Sequence, residues 1–498
     1  MRCAEAGNTA GGKAHAAAVS AALGAAATYA EWAPLAPLFR SGLLEACGHF
    51  LSAAEFRAPA CEVLRHVAHR RRGDVVNAAL SAGSQINAAA EDAAAQQEHA
   101  ADAETVVAGL ASACRALGAA AAAALAAPPA DPGDEHRDYV VRLTETAAAI
   151  ASNHLHVIPD DALRVAFLEA LLGLTKYPTL ETLGAATAAW PGILRAAGAE
   201  LPNGFVRPES FPGQEKEKEK ERERFSRLPE GAVVSLLDAA RHWLTRGAGV
   251  AAGLSTSACP DAAGDEWEQE YESREELRET WVQHRARLME ITKLCTCLVP
   301  VAAANAAATR VAQTCALVAA GGALDPKKNV PNANDPSGRS ALDDAAGAAF
   351  EGATSFVEPV MQALPFGDTP NTDASASHVL AAIAPALDAM LSNALAAELA
   401  SPVGVSQASR LLEALGRAAL ARPEAGAAIL NRLFEILGRL PSDDAAAPPA
   451  RAKAALMAGR TAQAARQRVC AAVLGVCTAA PQVRLFLTLR RRFLVFRF

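Results

Sequence analysis

Residues 52–72 read SAAEFRAPACEVLRHVAHRRR, and this stretch decides the fold class. Phe56, Ala60, Val63, Leu64 and Val67 recur at steps of three and four, which puts them on one helix face and the charged residues on the other. Ser52 followed by Glu55 has the pattern of a capping box, so the helix is expected to start there. The strict two-residue alternation of a half-buried strand is not sustained here.

The same spacing returns in both directions. Upstream, an Ala-rich helix is expected over Ala14–Trp32 and, after breaks at Pro34 and Pro37, another over Leu38–Leu51. Downstream, residues 74–127 read as Ala-rich helices, followed by Glu135–Ser152, Asp160–Lys176 and Leu180–Ala197, with Val140, Leu143, Ala147 and Ile150 on one face. Later helices are expected at Ser273–Ala304, where Leu277, Trp281, Leu288 and Ile291 line a stripe, and at Ala341–Leu364, Ser377–Ala400, Val405–Arg422, Ala425–Leu440 and Arg451–Ala479. None of these can bury its apolar face alone, which is how degenerate stacked helical repeats read. The expected class is all-α. Trp32, Leu43, Phe50, Phe56 and Leu64 are expected in the core.

The chain divides by composition into a disordered start (1–13), helical repeats (14–200), a charged and Gly-rich insertion holding one helix at Ala232–Thr245 (201–272), further repeats (273–324), a loop (325–340), repeats again (341–481) and a basic, apolar tail (482–498). Over 498 residues, 51% are hydrophobic, enough for a large core, and only 5% are aromatic, which with the abundance of alanine favours helix over strand. A formal net charge of −7 argues against a surface that is basic throughout. Ten cysteines are scattered through helical patterns without a disulfide framework, so a reducing compartment is expected. The most apolar runs, Ala16–Ala27 and Ala116–Ala127, fall short of the roughly 20 residues that span a bilayer, so a soluble chain without a membrane partner is expected.

The order Tyr29-Ala30-Glu31-Trp32-Ala33-Pro34-Leu35, then Gly42-Leu43-Leu44, Cys47-Gly48, Phe50-Leu51, Phe56-Arg57 and Ala60-Cys61-Glu62 resembles the exportin-five and HASTY branch of the karyopherins. A weaker likeness continues through Tyr139–Ile150, Leu163–Lys176 and Leu183–Leu194. The resemblance implies a HEAT/ARM-type helical-repeat solenoid that carries small structured RNA, microRNA precursors and tRNA, from nucleus to cytoplasm with the GTP form of Ran, through contacts with nuclear pore proteins. It implies a shuttling receptor, no enzyme and no cofactor. The arm that carries the family's main Ran contacts has no counterpart after Met1, so Ran binding is expected of a full-length receptor rather than of this chain alone. Residues 484–498 abandon the helical pattern, and the chain reads as a piece of a longer receptor with a misread end. The alternative is a generic helical-repeat scaffold, or a karyopherin for protein cargo, without RNA binding.

Few residues suggest chemistry. Gly7, Gly12 and Lys13 have the spacing of a phosphate-binding loop, but Ala14 stands where a hydroxyl would hold magnesium and no strand precedes them. Cys295 and Cys297 offer two thiolates where structural zinc needs four ligands, so buried helix cysteines are the expectation. His66 and His69 read as a helix-surface pair, with Glu62 one turn before His66. The run His69, Arg70, Arg71 and Arg72 is the candidate for RNA-phosphate contact, set against a solvated helix end. Residues 215–224 alternate acid and base and suit a solvated segment. Arg490, Arg491 and Arg492 lie among Phe and Leu in the atypical tail. No nucleophile elbow, paired zinc histidines or dinucleotide loop is present, so no metal site and no catalytic residue is expected.

Overall fold

A computed structural model describes residues 10–70, 92–126, 134–199, 228–251, 271–323, 341–366, 374–397, 402–440 and 452–479, together with Leu254, Trp267 and Leu399. Every regular element among them is helical. They form two compact units, one built from the residues up to Gly198 and the other from Val233 onward.

The first unit contains α1 (Ala10–Trp32), α2 (Leu35–Arg40), α3 (Leu43–Phe50), α4 (Arg57–His69), α5 (Asp92–Ala126), α6 (Asp134–Asn153), α7 (Asp161–Thr175), α8 (Leu180–Thr187) and α9 (Trp190–Ala196). Packing follows an alternating rule: α1 lies on α4, α4 on α6 and α6 on α8, while α2 and α3 lie on α5 and α5 on α7. Two layers of stacked helices result, the architecture of helical repeats whose members each bury a face on the next. The faces are those the spacing selects. Phe56, Ala60, Val63, Leu64 and Val67 are all buried, as are Val140, Leu143, Ala147 and Ile150.

The second unit holds α10 (Glu230–Arg246), α11 (Arg274–Leu298), α12 (Pro300–Ala323), α13 (Ala341–Ala363), α14 (Ala374–Ala396), α15 (Pro402–Leu415), a 3-10 segment (Gly416–Leu420), α16 (Pro423–Arg439) and α17 (Ala452–Ala479). Here α11, α13, α15 and α17 stack in one layer, and α12, α14 and α16 in the other. Trp267, from the stretch read as an insertion, is buried between Trp243 of α10 and Trp281 of α11, with ring centroids 5.9 and 5.5 Å away. The Arg246 guanidinium lies 6.0 Å from the Trp243 and Trp267 rings, so the stack gains a cation–π contact as well as buried area. Gly247 follows α10, and an ideal Cβ there would overlap the Trp281 indole.

Several expectations are corrected. The helix containing the deciding stretch starts at Arg57 rather than Ser52, and the Ser52 hydroxyl donates back to the His49 carbonyl at 2.8 Å instead of capping forward. Leu38–Leu51 is two helices, broken at Gly42, whose φ of 72° is open to glycine at little cost. The expected helix Ser273–Ala304 ends at Leu298 and restarts at Pro300, because proline donates no N–H and fits a first turn. Leu180–Ala197 likewise splits before Pro191. Within the expected core, Phe56 and Leu64 are buried and Leu43 and Phe50 half-buried, but Trp32 is 62% exposed and packs on the equally exposed Tyr29, centroids 4.7 Å apart. Finally, the helical segments Glu104–Ala126 and Ala376–Ala396, both of mean hydropathy 1.6, are long and apolar enough to cross a membrane by length and composition, where contiguous apolar runs are not.

Other starts follow the capping rule. Asp160, Thr179 and Ser273 accept from the backbone N–H of Leu163, Thr182 and Glu276, satisfying donors that a helix N-terminus leaves open.

Candidate functional site

At the end of α4 the sequence places its basic run. Glu62 takes two hydrogen bonds from Arg65, at 2.9 and 2.6 Å, and faces His66 Nε2 at 3.3 Å. The Arg65 bond holds the Glu62 carboxyl below its ordinary range. His66 is thus the helix-surface partner expected of it. His69 is exposed, and its Nδ1 lies 2.9 Å from the Arg65 carbonyl, an arrangement that requires the proton on Nδ1. Arg70 turns inward: its Nη1 donates to the carbonyls of Ala30 and Ala33 at 3.2 and 2.7 Å, closing the C-terminus of α1. Arg71 and Arg72 lie outside the described residues.

The other candidates resolve as parts of helices. Gly12 and Lys13 belong to the first turn of α1, and Gly7 lies outside the described residues. Cys295 and Cys297 are free thiols on α11; burial pushes the Cys297 thiol up to about 11 and Cys295 higher still, so both stay protonated at neutral pH. Among the described residues no group of three metal-ligating side chains comes together. Residues 215–224 and 490–492 lie outside the described residues.

A charged row absent from these candidates runs along the stacked layer of the second unit. Glu351 of α13 is only 3% exposed; it accepts from the Gly249 N–H at 2.9 Å and faces Arg285 of α11 at 3.6 Å. Burial raises the Glu351 carboxyl, and Arg285, the Gly249 N–H and Arg410 oppose it. Arg285 Nε donates to the Ser355 hydroxyl at 3.1 Å. Farther along, α13, α15, the 3-10 segment and α17 surround a cavity of about 240 Å3 lined by Glu358, Gln362, Arg410, Glu413, Arg417 and Arg468. Arg468 pairs with Glu413, and Gln362 donates to Glu358 at 3.1 Å. The Arg417 Nε is buried without a hydrogen-bond partner, and burial alone lowers the pKa of that side chain. Such an arrangement has no nucleophile and base in register; what it can do is hold an anion.

The Exportin-5 family model matches residues 135–486 of this chain. The chain belongs to the Exportin-5 family. Protein HASTY 1 of Arabidopsis thaliana is 24% identical over 475 residues, which is 94% of this chain. The chain spans about a third of that relative's length, 35%. An engineered protein of known crystal structure aligns with 90% of this chain and 94% of its own at 15% identity, with a TM-score of 0.19, too low to carry an argument. The row of arginines lies inside the Exportin-5 segment, whereas the His69–Arg72 run precedes it.

Sequence reasoning missed Arg410, Arg417 and Arg468 because each stands singly in an unremarkable helix. One signal was available. Arg410, Glu413 and Arg417 are spaced by three and four, so they share a helix face, and that face is charged within an otherwise apolar segment.

Proposed function

We propose that this chain supplies part of the cargo-holding repeats of a nuclear export receptor that binds small structured RNA, microRNA precursors and tRNA, together with the GTP form of Ran. The observation that carries this reading is the Exportin-5 match over residues 135–486. Two layers of stacked helices and a row of arginines along one of them support it, because a duplex is held by its backbone shape and charge and needs no base-reading motif. The receptor shuttles between nucleus and cytoplasm, contacting nuclear pore proteins on the way, and the GTPase supplies the difference in affinity between its loaded and open forms. In the same reading His69, Arg71 and Arg72 contact phosphate, with Arg70 holding α1. The function is that of a carrier and not of an enzyme.

The test is export itself. Cells depleted of the full-length receptor are expected to retain microRNA precursors or tRNA in the nucleus, and re-expression to restore their distribution; an unchanged distribution contradicts the reading. One observation favours a second reading, a protein-binding scaffold: the exposed Tyr29 and Trp32 pair is the kind of apolar surface a protein partner covers. Salt separates the two, since RNA held through phosphates weakens steeply as salt rises and an apolar protein contact does not.

A further inference from the structure

The cavity between α13, α15, the 3-10 segment and α17 holds charges that packing does not explain. Arg417 is half-buried, its Nε has no hydrogen-bond partner, and among the described residues it forms no ion pair. A guanidinium partly withdrawn from water without an anion costs stability, and local rules are broken in this way chiefly where a site uses the group. Arg410, two helical turns earlier, also forms no ion pair among the described residues and lines the same space. Arg468 reaches in from α17, held by Glu413. Gly475 makes room for the Glu413 carboxylate: an ideal Cβ there would overlap it and displace the pair.

The balance of charge selects the guest. Three arginines face two glutamates, so the lining carries one net positive charge. A phosphomonoester dianion overcharges it, and an acidic peptide brings further carboxylates up to Glu358 and Glu413. A phosphodiester carries a single negative charge and offers two oxygens to a forked guanidinium. In RNA the neighbouring ribose adds a 2′-hydroxyl, a donor that a carboxylate accepts. A cavity of about 240 Å3 suits one sugar-phosphate unit and excludes a duplex, which fits a contact made from the backbone side.

We propose that the cavity lined by Arg410, Arg417 and Arg468 seats one backbone phosphodiester of RNA, with Glu358 accepting from the adjoining 2′-hydroxyl. The inference rests on the export reading for its choice of a polynucleotide guest, and adds to it a specific seat and a preference for RNA over DNA.

The test uses the 498-residue chain, a labelled RNA hairpin and a DNA hairpin of the same sequence, with affinities read by fluorescence anisotropy across a salt series. Arg417→Met is expected to weaken RNA binding about three- to ten-fold and to reduce the slope of log affinity against log salt by about one. Its melting temperature is expected to stay level or rise, because a desolvated charge is gone. Arg417→Lys keeps the slope. Glu358→Gln narrows the preference for RNA over DNA. Unchanged binding and slope in Arg417→Met overturn the proposal, as does a wild-type chain that binds no RNA at low salt. An acidic peptide that displaces the RNA and loses affinity in Arg417→Met overturns it too, reassigning the seat to a protein. The two readings fail separately. Arg417-sensitive RNA binding that ignores GTP-loaded Ran in the full-length receptor keeps the seat and ends the export reading; Ran-dependent binding indifferent to Arg417 does the reverse.

Discussion

The Arg70 guanidinium donates to the Ala33 carbonyl at 2.7 Å, and through it the end of α4 closes the end of α1. A cation at a helix C-terminus meets both the open carbonyls and the negative end of the helix dipole. Arg70→Ala is expected to destabilise the protein by about 1–2 kcal/mol in urea unfolding, with amide protection lost first in the last turn of α1. Arg70→Lys should recover part of it. Equal stability of Arg70→Ala and wild type would mean that solvent satisfies those carbonyls.

Trp32 and Leu64, both large and both expected in the core, differ in burial. Leu64 is 1% exposed, and Leu64→Ala is expected to cost about 2–5 kcal/mol through lost burial and a cavity. Trp32→Ala, at an exposed position, should stay within about 0.5 kcal/mol of wild type. Chemical denaturation of the two variants checks the assignment, and a costly Trp32→Ala would contradict it.

Gly247 offers no room beside Trp281. Gly247→Ala forces the indole out of a stack that also includes Trp243 and Trp267, so a loss of about 1–3 kcal/mol is expected, together with a red shift of tryptophan emission. An unshifted spectrum and unchanged melting would show that the stack yields at no cost.

Acid should weaken the second unit through His284. Burial, with help from Arg287, lowers its pKa from 6.5 to about 4. Between those values the unfolded chain binds a proton that the folded chain refuses, so the contribution is full above pH 6.5 and lost as pH falls toward 4. The loss is on the order of 3 kcal/mol. Glu351, whose carboxyl is raised by burial, acts in the opposite direction, so the comparison must be with His284→Gln at each pH. The stability of wild type relative to that variant is expected to fall across this window; a constant difference would contradict it.

The helices were legible because their apolar spacing survives in each segment by itself: Val140, Leu143, Ala147 and Ile150 need no neighbour to be recognised as a face. Breaks at Gly42 and Pro300 were less legible, since the apolar pattern runs on through them and only the backbone requirement of one residue stops the helix. Trp32 misled for a related reason. Its size argues for burial, but it ends α1 exposed, where it meets Tyr29 and solvent. The cavity was least legible of all. Glu358, Arg410, Arg417 and Arg468 are brought together by the stacking of α13, α15, the 3-10 segment and α17, which no local window contains.

The most direct test of the central claim is the affinity of the full-length receptor for a hairpin RNA, measured with GTP-loaded Ran, with GDP-loaded Ran and with neither. An export receptor is expected to bind the RNA markedly more tightly with GTP-loaded Ran than in the other two conditions, because only that form biases it toward the cargo-holding state. Equal affinity in all three would contradict the account and leave the repeats as a scaffold without a GTPase switch.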